Sequence, residues 1–159
     1  METRRAGMIH RLTWLFIFSG FVFFLHCSKE STSPPAPETL TPAKLNGVWN
    51  AGKYQVMEKA NPALSYDLVA LGGSVEMKVG GSQYLLTIAF PAFPAQRDSG
   101  RVEIVQDSLR FASQVFDDST LLKYLYKKGE LSLKGEDQLD IDMDGEIEGV
   151  LVDIIFLKK

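Results

Sequence analysis

Cysteine and histidine are almost missing from this chain of 159 residues, and their scarcity excludes several kinds of site. The single cysteine is Cys27, so no disulfide can form within one chain. The two histidines, His10 and His26, both precede it. Beyond Cys27 the chain therefore cannot build a Ser-His-Asp triad, a Cys-His dyad or a zinc site of His and Cys ligands. A domain there must gain its stability from a hydrophobic core.

Basic residues are too few for a nucleic-acid-binding surface. The chain has 17 Lys and Arg against 20 Asp and Glu, and from Cys27 onward it has 14 against 19, a net charge of −5. Such a balance does not attract nucleic-acid phosphates, so we expect no nucleic-acid partner. No pair of carboxylates is singled out for acid–base chemistry. We therefore expect neither an enzyme nor a cofactor.

The longest apolar run of the chain covers residues 12–25. It follows three arginines and ends just before Cys27. A helix of this length rises about 21 Å, short of the roughly 30 Å hydrocarbon core of a membrane. Basic residues, a short apolar run and a processing point in this order predict a secretory signal peptide over residues 1–26. The alternatives are an uncleaved anchor helix from about Met8, or cleavage at another residue.

The segment Phe24-Leu25-His26-Cys27 resembles the lipobox of bacterial lipoproteins. The resemblance implies that Cys27 is lipidated and that the protein is exported and anchored in a membrane through it. Ser28 favours the outer membrane, at its periplasmic or surface face. Residues 27–43 are rich in Pro, Ser and Thr, a composition that predicts a disordered tether.

Residues 44–159 alternate apolar and polar side chains with the period of β-strands. One such run places Val75, Met77 and Val79 on one face. Short strands between regularly spaced turns predict one all-β domain, an antiparallel up-and-down β-barrel of about eight to ten strands, with a β-sandwich as the alternative. Residues 119–128 fit a helix or a strand, and their tyrosines favour a strand.

The start of this domain, Leu45-Asn46-Gly47-Val48-Trp49, resembles the Gly-x-Trp signature of lipocalins and of bacterial lipocalin-like lipoproteins. In that family the tryptophan plugs the closed end of the barrel, and a basic residue near the end of the last strand packs over it. The resemblance implies that Gly47 and Trp49 form this plug and that Lys158 or Lys159 packs on the indole as a cation–π partner. The alternative is an ordinary core tryptophan.

Three alternating aspartates, Asp140, Asp142 and Asp144, match the first half of an EF-hand calcium loop. Leu151 stands where that loop needs a bidentate glutamate. A solvated hairpin is therefore the simpler interpretation, weak calcium binding is the alternative, and we expect no metal site.

Residues 90–95 carry Phe90 and Phe93 within a proline-containing connection between strands. One hypothesis is a lid over a ligand, or a surface that contacts a membrane or a partner. The alternative is an ordinary connection with one phenylalanine folded inward.

Two functions follow as hypotheses. In the first, inward apolar side chains bind a small hydrophobic ligand, as the lipocalin resemblance suggests. In the second, the barrel is filled by its own side chains and the protein is a ligandless structural or interaction module of the cell envelope, with an unknown protein partner.

Overall fold

A computed structural model describes residues 38–91, 93–139 and 146–159. Within these ranges the chain forms nine strands and one short helix. In chain order the elements are α1 Pro42–Leu45, β1 Gly47–Glu58, β2 Ser65–Asp67, β3 Ser74–Gly80, β4 Gln83–Phe90, β5 Phe93–Val105, β6 Ser108–Ser113, β7 Ser119–Lys127, β8 Glu130–Leu139 and β9 Glu148–Lys158.

Eight of these strands close into an antiparallel up-and-down barrel. From β3 to β9 each strand pairs with its neighbours in sequence, and β9 pairs back onto residues 49–58 of β1. The start of β1 pairs with β3, and its residues 55–57 pair with the additional strand β2. The predicted barrel is confirmed. The alternative of a β-sandwich is wrong, because the pairing of β9 with β1 joins the two ends of a single sheet.

Alternation along the strands builds the core. In β3 the side chains of Val75, Met77 and Val79 are buried, whereas those of Ser74 and Lys78, which alternate with them, are exposed. The same period runs through β9, as expected for strands with one face inside and one face outside. β7 forms as a strand, as its tyrosines indicated. The largest fully buried side chains are Trp49, Met77, Leu109, Leu131, Leu133, Val150 and Phe156.

A bulge in β1 shifts the phase of this alternation. The register with β9 changes between Ala51 and Lys53, which leaves Gly52 as the extra residue. Trp49 and Tyr54 are an odd number of positions apart, so a regular strand would place them on opposite faces. Because of the bulge, both side chains are buried in the barrel.

The two ends of the barrel differ. At one end, here called the closed end, α1 precedes β1 and two-residue turns join the strands at Gly81-Ser82, Gln106-Asp107 and Lys128-Gly129. Gln106 and Lys128 adopt positive φ angles of 56° and 48°, which suit such tight hairpins. At the other end, the open end, β4 and β5 are joined by residues 91–92 alone, but the connections 59–64, 68–73 and 114–118 are longer.

The packed domain begins before Lys44, where the sequence analysis placed its start. Thr41 caps α1 by accepting a hydrogen bond from the Lys44 amide at 3.3 Å, and Leu40 is buried in the core. The Glu38 amide donates to the Tyr126 carbonyl at 3.1 Å. Residues 38–43 therefore pack against the barrel, because the apolar side chain of Leu40 is buried in its core. The predicted signal peptide and the rest of the tether lie outside the described residues.

Candidate functional site

The closed end is organised around Trp49, whose side chain is fully buried. Its indole Nε1 donates a hydrogen bond to the Leu45 carbonyl of α1 at 2.8 Å. The Lys158 Nζ lies 5.2 Å from the centroid of the indole and donates to the Lys44 carbonyl at 2.6 Å. The Lys158 ammonium group thus contacts the indole face and also donates a hydrogen bond to a carbonyl near the C-terminal end of α1, which has no partner within the helix.

Gly47 completes the same contact. Its φ of +132° lies in a region that residues with a Cβ rarely adopt, and a Cβ built there would lie 3.0 Å from the Lys158 Cε. The ring of Tyr126 packs edge-on against Trp49 at 6.4 Å between centroids, with the Lys44 Nζ 5.2 Å from the centre of the Tyr126 ring. The structure therefore brings Gly47, Trp49 and Lys158 into contact. Their role as the plug of the barrel stays a prediction.

A polar group of side chains that the sequence analysis did not identify lies inside the barrel towards the open end. Asp98 accepts hydrogen bonds from the Tyr84 hydroxyl at 2.5 Å and from the Ser113 hydroxyl at 2.6 Å. The Ser113 oxygen in turn accepts the amides of Val115 and Phe116 at 3.1 Å and 3.0 Å. Asp98 thereby connects β4, β5 and β6 with the start of the following loop.

A second carboxylate, Asp137 on β8, accepts a hydrogen bond from the Thr120 hydroxyl of β7 at 2.8 Å. Its other contact is the Gln138 amide at 2.9 Å. Burial raises the pKa of Asp137 above its ordinary value, and the negative charges of Asp118 and Asp98 add to the rise. Several carboxylates thus share this part of the barrel.

Tyr54 is buried beside these carboxylates. Its side chain is only 6% exposed. Burial raises the pKa of this hydroxyl, and the charges of Asp137 and Asp98 raise it further, which places both carboxylates within electrostatic range.

We call this set the mouth cluster: Tyr54, Tyr84, Asp98, Ser113, Asp118, Thr120 and Asp137. Within the described ranges its three aspartates have no ion pair with any Lys or Arg. Asp153, in contrast, is paired with Lys53 at 2.7 Å and with Lys134 at 3.2 Å on the outer face of the barrel. The interior of the open half is therefore acidic.

Exposed apolar side chains surround the same end. They project from the residues before β3, from the start of β5, from the β6–β7 loop and from the residues before β9. All are more than half exposed, and together they are called the apolar rim: Leu71, Phe93, Val115, Phe116 and Ile147. Apolar side chains gathered at one end of a small domain are typical of a surface that contacts another molecule.

Phe90 and Phe93, the predicted lid residues, form a cross-strand pair at the end of the β4–β5 hairpin. The connection is shorter than predicted, because residues 93–95 already belong to β5. Phe90 is half-buried over Gly73, where an added Cβ would lie 2.7 Å from its ring Cε1. Phe93 is exposed at the apolar rim, and the lid role of both residues stays a prediction.

Two shallow grooves of about 410 Å³ and 420 Å³ lie on the outside at the closed end. The first is bordered by the ends of β1, β3 and β4, and the second by the β7–β8 turn and the end of β9. Both are open to solvent, so neither encloses a ligand.

Other predicted positions fall outside the described residues. They are the lipidation site Cys27 and the calcium candidates Asp140, Asp142 and Asp144. In the described part of the chain, no three His, Cys, Asp or Glu side chains are grouped so that they could hold a metal ion. None of the described helices has the length and apolar character needed to cross a membrane.

Comparisons with protein-family models, with curated proteins and with solved structures found no match to this chain.

Proposed function

We propose that this protein is an exported, lipid-anchored lipoprotein of the cell envelope whose barrel binds a small, largely hydrophobic ligand through its open end. The anchor is supported by the sequence around Cys27, where a short apolar run after basic residues ends in a lipobox-like segment. Two or more acyl chains at one cysteine would hold the domain firmly at a membrane.

The observation that carries the ligand-binding proposal is a contrast inside the barrel. Side chains of the closed half, such as Trp49, Leu131 and Phe156, are completely buried by their neighbours. In the other half Val75 and Val150 are buried as well, but Ile88 and Phe111 are only partly buried. Phe111 packs edge-on against Tyr84, whose hydroxyl donates a hydrogen bond to Asp98. Incompletely covered apolar side chains beside a few polar groups are typical of a small-molecule site.

The ligand hypothesis is tested by native mass spectrometry of the protein extracted from its own host. We expect a bound small molecule with the wild type and its loss from Thr120→Trp, which fills the open half from an inward position. The matched control is Leu121→Trp, which adds the same side chain at an exposed outward position of the same strand. A ligand that survives in both variants, or is absent from the wild type, contradicts the proposal, provided that circular dichroism shows both variants folded.

The lipid anchor is tested separately by metabolic labelling with an alkyne fatty acid. Wild-type protein should carry the label and sediment with membranes, whereas Cys27→Ser should carry none. Equal labelling of both proteins would contradict attachment at Cys27.

The apolar rim favours a second candidate function, a ligandless interaction module of the envelope. In this case a photo-crosslinking residue at Phe116 should capture a defined envelope protein in living cells. The same residue at Leu125, which is exposed on the outer face of β7, is the control. Capture at Phe116 together with a wild-type protein free of any small molecule would favour this second function over the first.

A further inference from the structure

Lysine side chains gather on one side of the closed end of the barrel. They come from α1, from the end of β3, from the β7–β8 turn and from the end of β9. We call this surface the basic face, and its lysines are Lys44, Lys78, Lys127, Lys128, Lys158 and Lys159. The acidic side chains beside them are Glu38, Glu76 and Glu130. The basic face therefore carries an excess of positive charge, although the chain as a whole is acidic.

Contacts between these elements hold the lysines on a common surface. The Lys158 Nζ donates to the Lys44 carbonyl at 2.6 Å, and the Lys158 amide donates to the Gly129 carbonyl of the β7–β8 turn at 2.9 Å. On the other side of β1, Lys78 and Lys159 both pair with the carboxylate of Glu76 at 3.1 Å. One acidic side chain thus compensates two lysines.

The β7–β8 turn carries positive charge that no ion pair compensates. Lys127 is half-buried and Lys128 is exposed, and neither forms an ion pair within residues 38–91, 93–139 and 146–159. Together with Lys158 they border the shallow groove of about 420 Å³ at this turn. The charge of Lys127 and Lys128 is therefore available to a partner outside the barrel.

Charge of the opposite sign predominates in the open half of the barrel. Its basic side chains in the described part of the chain are Lys59 and Arg97. Its acidic side chains there are Glu58, Asp67, Asp98, Asp117, Asp118, Glu136, Asp137, Glu146 and Glu148. The barrel is therefore electrically polar along its axis, so that an anionic surface attracts the closed end and repels the open end.

The position of Glu38 shows where the predicted tether reaches the barrel. Its amide donates to the Tyr126 carbonyl at 3.1 Å, and its carboxylate pairs with Lys44 at 3.0 Å, so the chain joins the barrel at the basic face. The eleven chain steps from Cys27 to Glu38 span about 34 Å in the extended form typical of proline-rich linkers. The twelve residues of β1 span about 28 Å along the axis of a barrel whose strands are tilted by about 40°. An open end directed at the membrane would therefore require almost the whole tether to run along the barrel.

We propose that the basic face is a docking surface for the anionic lipid headgroups of the membrane that carries the anchor. The barrel then stands with its closed end against the bilayer, and the acidic open end with the apolar rim is directed away from the membrane. This inference rests on the proposed lipid anchor, because the tether from Cys27 brings the basic face to the membrane surface.

The experiment determines which end of the barrel faces the lipid, in protein purified from its own host and reconstituted into nanodiscs. Cys27 is the single cysteine and acylation blocks its thiol, so an introduced cysteine can be labelled alone with a fluorophore. Ser82→Cys places the label in the β3–β4 turn at the closed end, and Gln114→Cys places it in the β6–β7 loop at the open end. Both positions are exposed and uncharged.

Quenching by lipids with a nitroxide on the headgroup measures how close each label lies to the membrane surface. In nanodiscs rich in phosphatidylglycerol we expect stronger quenching at position 82 than at position 114. The ratio of the two should fall in nanodiscs of neutral phosphatidylcholine. It should also fall in about 1 M salt, where the Debye length is only about 3 Å.

A double variant and a matched control assign the orientation to the basic face. Lys127→Gln with Lys128→Gln removes two charges that have no ion pair, so it should fold. Each lysine near an anionic surface should contribute about fivefold to the equilibrium between the docked and the free barrel. The double variant should therefore lose most of the difference between the two labels. The control, Lys59→Gln with Arg97→Gln, removes two exposed charges from the open half and should keep that difference.

The outcomes separate this inference from the proposed anchor, because the mass of the purified protein shows beforehand whether Cys27 carries lipid. A protein without lipid would overturn the anchor and this inference together. With lipid present, equal quenching at both positions, or stronger quenching at position 114, would overturn the inference and leave the anchor standing. A ratio that is the same in neutral and anionic nanodiscs, or that survives in the double lysine variant, would also overturn it, because the lysines would then not dock the barrel.

Discussion

Replacing Gly47 with alanine should destabilise the barrel from its closed end. The φ of Gly47 is +132°, and holding a residue with a Cβ in such a region costs about 1–3 kcal/mol. The new Cβ would also lie 3.0 Å from the Lys158 Cε, so the lysine must move. Moving it weakens a cation–π contact with Trp49 that is worth about 0.5–1 kcal/mol at an exposed site. We therefore expect Gly47→Ala to lower the free energy of unfolding by about 2–4 kcal/mol.

The measurement is equilibrium unfolding in urea, followed by tryptophan fluorescence in a Trp14→Phe background so that Trp49 is the only reporter. The matched control is Gly80→Ala at the end of β3, where φ is ordinary and no atom lies within 4 Å of the new Cβ. It should be neutral or stabilise by up to about 1 kcal/mol, because alanine restricts the unfolded chain.

A Lys158→Ala background separates the two parts of the Gly47→Ala effect. There the crowding disappears and the backbone strain stays, so Gly47→Ala should cost about 1–3 kcal/mol. The reasoning is refuted if Gly47→Ala lies within about 0.5 kcal/mol of the wild type, or if Gly80→Ala costs as much as Gly47→Ala.

Two further predictions concern the interior. Gly100→Ala should cost about 3 kcal/mol or more, or prevent folding, because its Cβ would overlap the Ala112 carbonyl oxygen of β6; a melting temperature like that of the wild type would contradict this packing. The raised pKa of Asp137 means that its contribution to stability is complete below the unfolded value of 3.8 and is lost as pH rises through the raised pKa. The wild type should therefore lose stability relative to Asp137→Asn over that rise in urea unfolding, and parallel pH profiles of the two proteins would show that Asp137 is not perturbed.

Much of the fold could be predicted from local patterns. The alternation in β3 and β9 marks strands because side chains on a pleated chain point to opposite faces in turn. The Lys128-Gly129 turn marks a hairpin because both residues adopt positive φ. The prediction of β7 as a strand was correct for the same kind of reason. Each of these patterns involves only a few neighbouring residues, so it can be recognised without information about the rest of the chain.

The mouth cluster was missed, although part of its signal was present. Asp137 falls in phase with Leu131 and Leu133, on the face of β8 that enters the core. An acidic residue in the apolar phase of a strand is a sign of a polar interior that the alternation alone could have revealed. Tyr54 carried no such sign, because the bulge at Gly52 reverses its phase, and the bulge is defined only by the pairing of β1 with β9.

The sequence by itself thus determines the strands and their turns, because each depends on residues a few positions apart. It also determines the acidic net charge, which follows from composition alone. Closure of the barrel, the entry of Leu40 into the core and the hydrogen bonds of Asp98 to Tyr84 and of Asp137 to Thr120 depend on residues far apart in the chain. Those contacts arise from the pairing of whole strands around a common axis. No local sequence pattern determines which inward side chains lie at the same height along the barrel axis after the strands have paired.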